Sequence, residues 1–543
     1  MTKILAHRGP DDQGFYEDES VSLGHRRLSI IDLSSSGHQP IQNEDGLIQL
    51  VFNGEIYNFK ELKKNLLTKG HKFISKTDSE VIVHLYEEFG DEFLNHLNGM
   101  FGLGLWDKKE QKLILARDRI GIKPLYYAQT KNRFLFASEI KAILKDKEVK
   151  KEISKDGFDA FMAFQCTLDD STIFQQIKKL PPAHLLTFKN SQIKIKKYWH
   201  LERKSIDLDT ERIKDLLIDS VSLRLASDVP LGVLLSGGLD SSSLVALASQ
   251  IKQEPLETFS VGFGQADDEL PYARIVAEKF KTNHHEFMVS SKSLESLLDT
   301  IVWHMDEPLA DGGAVATYLV SEIVKDQVKV VLVGEGSDEV FGGYSWHRLA
   351  NYPMPEILKR KLYLYLTTFY KDQDKDINAL FKKQTGSNFF RKMSDFELQS
   401  LLPNSLLMKV DKMTMAHSLE ARVPFLDHRI IEHMYNLSLR LSSKQIVGKK
   451  LIKDIFKDTL PEIILKRKKH GFLIPLNKWL LGDMKNFAQD VLFNSRTYFP
   501  RNIDRKNIEN LFSKTKNPLK SIENTSKLWR LFIFQLWANR YLA

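Results

Sequence analysis

The sequence predicts two successive units, an α+β unit over residues 1–150 and an α/β unit with a parallel sheet over residues 206–543. Three observations carry this reading. From residue 206 onwards, short apolar runs (Val233–Leu235, Thr258–Phe263, Val328–Val333) alternate with segments of helical spacing, the pattern of a parallel sheet wrapped by helices. Before residue 150, strand-like runs dominate and that alternation is absent. A chain of 543 residues, 42% of them hydrophobic, is also longer than one core ordinarily holds.

In the first unit, Leu47–Phe52 reads as a strand that runs into Asn53-Gly54-Glu55-Ile56-Tyr57-Asn58. Phe59–Leu67 and Ser79–Phe89 read as helices, the second with Val81, Leu85 and Phe89 on one face. GMFGLGLWD, KLILARD and RFLFASE have strand composition. Residues 151–205 read as a connector of strands and turns, in which Pro181-Pro182 breaks any helix.

In the second unit, a helix over Ile213–Leu225 leads through Val229-Pro230 into the stretch GVLLSGGLDSSS, Gly232–Ser243. The apolar run is a buried strand. Gly237 and Gly238 let the backbone approach a ligand closely. Ser236, Ser241 and Ser242 offer hydroxyls, and the following helix offers free N–H groups at its positive end. The whole is a phosphate cradle without a Walker lysine. Asp240 inside it repels phosphate unless a cation stands between, so Mg2+ is expected. Thr258–Phe263 is the next strand, Ala273, Val276, Ala277 and Phe280 mark a helix, and Val328–Val333 is a strand ending in GEGSDEVFGGY. Both motif loops leave strands at their carboxyl ends, where ligands of such sheets bind. Pro353–Gln399 reads as helices without a motif.

Composition narrows the class. One cysteine, Cys166 in AFQCTLDD, excludes a disulfide framework and reads as a packed thiol. The first residues have no signal-like apolar core, and no apolar run is long enough to span a bilayer. A soluble cytosolic protein without a membrane partner is expected. The net charge of +8 is scattered among 70 acidic residues, so no nucleic-acid partner is expected. The densest basic cluster, Lys466–Lys469 before His470-Gly471-Phe472, reads as a local anion site or a solvated face.

The loop at Ser236 resembles the pyrophosphate loop of ATP pyrophosphatases. Other motifs stand in order along the chain: His7-Arg8-Gly9-Pro10-Asp11, Arg27-Leu28-Ser29-Ile30-Ile31-Asp32, Asn53–Asn58, Gly334-Glu335-Gly336-Ser337-Asp338-Glu339 and Glu420-Ala421-Arg422-Val423-Pro424-Phe425-Leu426-Asp427. Together they resemble the glutamine-hydrolysing asparagine synthetases of bacterial type, over nearly the whole chain. The resemblance implies a glutaminase-type (Ntn-hydrolase-like) sandwich, incomplete at its start, joined to an ATP-pyrophosphatase unit. It implies ATP-dependent amidation of aspartate through an acyl-AMP, with ATP and Mg2+, small-molecule substrates and a homodimer.

Glutamine recognition needs a cation for the carboxylate, an anion for the ammonium and donors for an oxyanion. Arg27, Asp78, and Asn53 with the Gly54 N–H supply these, and Glu55 suits the amide or the ammonium. The resemblance places the family's glutamine positions on these five residues. It places the nucleotide against Leu235, Val261 and Gly334. The phosphates go to Ser236, Gly237, Gly238, Ser241 and Ser242, and the metal to Asp240 and Asp338. It places proton transfer on Glu335 and phosphate charge on Lys449, with Lys450 and Lys453 as rivals. Arg422 reads as a packing or interdomain residue.

Two departures stand out. The family's nucleophile is an N-terminal cysteine, and this chain has Thr2. Only four residues separate Thr2 from His7, too short a tether for the strand and helix that the family places there. Thr2 is therefore not expected to be the nucleophile. Either the true start lies upstream, which is favoured, or the chain lacks glutaminase activity and uses ammonia. The stretch after Asp306-Glu307-Pro308, expected to face the acceptor, reads Leu309-Ala310-Asp311-Gly312-Gly313-Ala314. Its two glycines keep open amidation of another carboxylate, such as a polysaccharide uronic acid. An inactive regulatory homologue is the third reading, against which the ATP loop, Glu335 and Asp338 stand.

Overall fold

A computed structural model describes the chain except residues 203, 205, 263, 265–267, 289–293, 369–388, 438–442, 468–475, 477–478, 495–497, 500–502, 504 and 514–517. Phe263, most of the basic cluster with His470-Gly471-Phe472, and the middle of the motif-free stretch therefore lie outside the described residues.

The first unit is built on a six-stranded antiparallel sheet. Its strands are β3 (Ile41–Gln42), β4 (Ile48–Ile56), β5 (Gly99–Asp107), β6 (Lys112–Arg117), β10 (His184–Lys189) and β11 (Gln192–Lys197), in the order β11-β10-β6-β5-β4-β3. One face is covered by α1 (Phe59–Thr68) and α2 (Glu80–Phe89), which bury Leu62, Leu66, Val81 and Leu85 against Leu50, Phe52 and Leu103. On the other face, Val51, Trp106 and Leu115 pack with Leu125, Tyr127 and Leu180. These last belong to or flank a three-stranded sheet of β7 (Tyr126–Gln129), β8 (Phe134–Ala137) and β9 (Ile177–Lys179). A hairpin of β1 (Asp12–Glu17) and β2 (Ser22–Arg27) stands apart from both sheets.

Residues 151–205 do more than connect. β9 pairs with β7, and β10 pairs with β6 through Leu185–Ala116 and Leu186–Leu115. The helix Lys155–Phe164 buries Phe158 and Phe161 against Phe534 of the C-terminal helix Pro518–Tyr541. A solvated linker would leave these apolar side chains in water, at about 1.5–3 kcal/mol each.

The second unit holds a five-stranded, fully parallel sheet. Its strands are β12 (Leu231–Leu234), β13 (Glu257–Gly262), β14 (Asn283–Met288), β15 (Val330–Leu332) and β16 (Glu420–Arg422), ordered β14-β13-β12-β15-β16. Helices Thr210–Arg224, Leu239–Ile251, Leu270–Phe280 and Gly313–Val324 share its core through Leu217, Leu244, Val276 and Val324. The sheet's position places the carboxyl ends of β12 and β15 side by side. Among the described residues, no helix is long and apolar enough to cross a membrane.

The two units meet through buried charge. Arg8 pairs with Glu139 at 3.0 Å and with Asp411 at 2.8 Å, and Lys123 reaches Asp411 at 3.3 Å. Lys141 contacts both Glu139 and Asp306, and Lys412 also pairs with Asp306. Beside this network, the His304 ring lies 4.7 Å from that of His7. Burial, His7 and Lys141 pull the His304 imidazole from the usual 6.5 down to about 3. Between those values the unfolded chain binds a proton that the folded chain refuses, so stability falls as pH drops. Replacing His304 with Gln is expected to flatten that loss by up to about 1.4 kcal/mol per pH unit. Urea unfolding of both proteins at pH 5 and pH 7 checks it.

Candidate active site

At the end of β12 the chain turns sharply. The Leu235 N–H donates to the Phe259 carbonyl at 2.8 Å, and the Leu235 carbonyl accepts from the Ser260 hydroxyl. The Leu235 backbone is thus engaged by the sheet, while Val261 is buried in β13. Gly237 has φ +64°, and a β-carbon there would lie 2.5 Å from the Ala273 nitrogen, so only glycine lets the helix Leu270–Phe280 come this close. Gly238 caps the helix Leu239–Ile251 without a side-chain acceptor, which leaves first-turn N–H groups without a capping partner. The Ser236 N–H and hydroxyl stand 3.2 and 3.1 Å from the Ser241 hydroxyl. The Ser242 hydroxyl is buried without a hydrogen-bond partner.

The loop after β15 meets this turn. A β-carbon on Gly334 would lie 3.0 Å from the Asp240 β-carbon. The Ser337 hydroxyl donates to Asp240 at 2.7 Å. Asp240 and Asp338 converge on one ammonium, that of Lys449, which stands 2.6 Å from both Asp240 oxygens and 2.7 Å from Asp338 Oδ1. Two carboxylates aimed at one cation position suit a phosphate-bound dication, so the residues present fit Mg2+. Lys449 is 5% exposed and, with its side chain raised in pKa by both aspartates, stays charged. Lys449 sits at φ +57°, after Gly448 at φ +84°, and the Gly448 N–H donates to the Gly342 carbonyl at 2.8 Å. The rivals Lys450 and Lys453 lie on the helix Lys450–Phe456, which starts one residue later.

Glu335 is half-buried beside these groups. Burial pushes its carboxyl up, Lys409 pulls it down, and Asp240 and Asp338 add to the upward shift. Lys409 itself pairs with Asp311 at 2.8 Å. The stretch expected to face the acceptor is divided. Asp306 is fully buried against Lys412, and Glu307 binds the Thr167 hydroxyl at 2.8 Å and the Ile173 N–H at 2.9 Å. Asp311 reaches the surroundings of Glu335 through Lys409.

Four contributors to this cleft were given no place in it from the sequence, although Arg467 belongs to the basic cluster that reads as a local anion site or a solvated face. Lys409 lies in the helix Leu407–Met415, remote from any motif. The Arg467 guanidinium donates to the Ser236 carbonyl at 3.1 Å. Glu269, facing Arg467, is pushed up to about 7 by burial. Gly343 is the most legible in hindsight. A β-carbon there would lie 1.8 Å from Asp338 Oδ1 and 2.3 Å from Lys449 Cε, so the second glycine of Gly342-Gly343 makes room for the Lys449–Asp338 pair.

In the first unit, Arg27, Asn53, Gly54, Glu55 and Asp78 all line one cavity of about 120 Å³. Thr2 lines it as well, and Glu420 and Met415 close it from the second unit. The Arg27 guanidinium is held by the carbonyls of Ile31, Asp32 and Ser34. The Asn53 amide faces the Ser138 hydroxyl at 3.4 Å. Asp78 accepts from the Ile56 N–H at 2.7 Å, and burial, with the Glu420 charge, pushes it up to about 7. Glu55 is committed to an ion pair with Arg422 at 2.9 Å. Arg422, fully buried, also holds Glu420 at 2.8 Å and the carbonyls of Arg224 and Ala226.

Two family models match this chain. The asparagine synthase model covers residues 212–539, the unit that carries the Asp240–Lys449–Asp338 cluster. The chain belongs to the asparagine synthase family. A glutamine amidotransferase domain model covers residues 1–199, which include most of the residues lining the 120 Å³ cavity, and β9 to β11. The protein is therefore a C–N bond-forming ligase in which a glutamine amidotransferase domain precedes an asparagine synthase domain. It is similar to asparagine synthetase [glutamine-hydrolyzing] 1 of Bacillus subtilis (strain 168), at 33% identity covering 99% of this chain and 92% of that one. It is also similar to asparagine synthetase [glutamine-hydrolyzing] 3 of the same organism, at 33% identity covering 87% and 83%. A third relative is named amidase chry2, from Gibberella zeae, at 29% identity covering 94% and 88%.

Proposed function

We propose that this chain makes asparagine from aspartate and ATP through an acyl-adenylate. The observation that carries this reading is the convergence of Asp240 and Asp338, from the ends of two adjacent parallel strands, on Lys449 beside Glu335. The aspartate side-chain carboxylate attacks the α-phosphorus of ATP. An oxygen–phosphorus bond forms, and the bond to pyrophosphate breaks. Ser236, Gly237, Gly238, Ser241 and Ser242 cradle the phosphates with hydroxyls and helix-end N–H groups. Leu235, Val261 and Gly334 border the nucleoside. Asp240 and Asp338 would hold a Mg2+ ion, which would offset charge on the departing pyrophosphate. Lys449 supplies a fixed positive charge beside the same oxygens. Ammonia then attacks the acyl carbon, Glu335 takes a proton from the nitrogen, and AMP leaves.

The glutamine-type cavity supplies that ammonia where its nucleophile is present. Arg27 grips the substrate carboxylate, Asp78 the ammonium, and Asn53 with the Gly54 N–H the oxyanion. Glu55 acts through Arg422, as a wall of the cavity. The asparagine synthase unit accepts free ammonia without the glutamine site. The test supplies ATP, Mg2+ and aspartate with either ammonium or glutamine. Asparagine from ammonium alone is the expected result. Asparagine from glutamine at a comparable rate, lost in Thr2→Ala, would put the nucleophile at Thr2 and overturn the reading that Thr2 is not the nucleophile.

A second reading, amidation of another carboxylate, is favoured by one relative's being named an amidase and by the glycines after Asp311. A screen of carboxylates separates the two, with aspartate expected to be the best acceptor. A homodimer is part of the proposal and is read by light scattering.

Glu335 gives a pH signature. Its raised pKa means that the basic form is lost when pH falls through that value. The rate per unit of free ammonia is therefore expected to fall on acidification, and Glu335→Gln to lower it by about 100-fold or more on the basic side, with the deficit shrinking on acidification. Rates corrected for the ammonia fraction, followed to the lowest pH at which the protein stays folded, check this.

A further inference from the structure

The amidotransferase domain carries a second cluster of ligand-type side chains on the side of the sheet covered by α1 and α2. Glu44 comes from the turn between β3 and β4, His71 from the loop after α1, and His84 and Glu87 from α2. The four residues each offer one donor atom, and these atoms lie within 4.8 Å of one another. His71 Nδ1 stands 3.3 Å from Glu44 and 3.6 Å from Glu87, and His84 Nδ1 stands 3.2 Å from Glu44 and 3.1 Å from Glu87. Ligand atoms about 2.0–2.2 Å from a tetrahedral Zn2+ are separated by about 3.3–3.5 Å. The four histidine–carboxylate separations lie near that length, the two to Glu44 being to its two different oxygens, and no two donor atoms of the cluster are more than 4.8 Å apart.

The outer groups agree. His71 Nε2 faces Glu88 at 3.1 Å, and His84 Nε2 faces Glu80 at 3.9 Å. A neutral imidazole has only one N–H, so neither ring can serve both of its carboxylate sides by hydrogen bonds. A cation on Nδ1 leaves the N–H on Nε2 for the outer carboxylate, the usual arrangement of metal-bound histidine. The two rings lie 4.8 Å apart, and His84 is 1% exposed. Glu44 accepts from the Lys72 N–H at 2.9 Å and Glu87 from the Asn43 amide at 2.7 Å.

We infer that Glu44, His71, His84 and Glu87 form a structural Zn2+ site that clamps the loop of residues 71–79 to α2. That loop carries Thr77, Asp78 and Ser79 into the 120 Å³ cavity. Its other end is held by Glu80, which accepts from the N–H groups of Ile74 and Ser75 at 2.7 Å each. The clamp rests on geometry alone and stands or falls independently of the reaction proposed above.

The test titrates Co2+ and then Zn2+ into the untagged, full-length chain, stripped of metal and kept in excess Mg2+ to saturate the Asp240–Asp338 position. The expected result is one equivalent of Co2+ with the intense visible absorption of a four-coordinate ion, displaced by Zn2+, and a higher melting temperature with Zn2+. His71→Ala and Glu44→Gln, whose side chains are partly exposed and not core, are each expected to abolish that spectrum while the fold is kept by circular dichroism. Glu88→Gln is expected to weaken binding by about 10-fold or more. A Co2+ spectrum that stays that of the aqueous ion overturns the site. So does a four-coordinate spectrum that survives both variants.

Discussion

Lys449→Met is expected to lower ammonium-dependent amide formation by at least about 100-fold, the scale seen when one preorganised charge or donor is removed from a transition-state site. The loss falls on kcat, because Lys449 sits against Asp240 and Asp338 rather than at the nucleoside edge of the cleft. A stability signature accompanies it. Without the ammonium, two aspartates face each other beside half-buried Glu335, so the variant is expected to melt lower than wild type in EDTA. Excess Mg2+ should narrow that gap, because a dication serves the same two carboxylates. A Lys450→Met control, one residue along, leaves both readouts unchanged. If the two substitutions behave alike, the charge on the phosphates comes from elsewhere.

Arg422→Ala is expected to have the largest effect on stability. Arg422 is fully buried and holds Glu55 at 2.9 Å and Glu420 at 2.8 Å, one from each domain. Its removal leaves both carboxylates in the interface without that charge, a loss of about 3–5 kcal/mol. The loss has a definite pH sense. Burial already pushes Glu55 upward, and Asp78 to about 7. Without Arg422 these groups bind protons more tightly in the folded state than in the unfolded one, so the variant's deficit shrinks as pH falls. Urea unfolding at pH 5.5 and pH 8 checks it. An equal deficit at both values would mean that the loss is one of packing rather than of charge.

The parts of this fold that follow local rules were legible in the chain. β12, the glycine turn and the helix after it are spelled out by an apolar run, two glycines and serines at the helix start. The sheet's parallel sense follows from alternating strands and helices. β14 was missed because it is an edge strand rich in polar residues, His284, His285 and Glu286. β16 is three residues long, and two of them, Glu420 and Arg422, are charged. No hydrophobic period marks such a strand; it is held by the interface it helps to form. Residues 151–205 looked like a linker because their strands are short and two prolines interrupt them, yet β10 and β11 complete the first domain's sheet by long-range pairing.

The candidate site divides the same way. Residues within motif loops, such as Asp240, Asp338 and Glu335, were visible from their neighbours. Lys409 and Arg467 arrive from distant helices and loops, and only folding brings them to Glu335 and Ser236. Arg422 was visible as an interdomain residue, but its partner Glu55 was read as a ligand-binding group. A single sequence does not reveal which buried carboxylate an arginine will neutralise.

The most direct measurement follows the oxygen. Aspartate labelled with 18O in its side-chain carboxylate is incubated with the chain, ATP, Mg2+ and ammonium, and the phosphate products are analysed by mass. Attack on the α-phosphorus predicts one labelled oxygen in AMP for every asparagine formed, with none in pyrophosphate. Label in inorganic phosphate with ADP as co-product, or unlabelled AMP, would contradict the acyl-adenylate and with it the assigned roles of Asp240, Asp338 and Lys449.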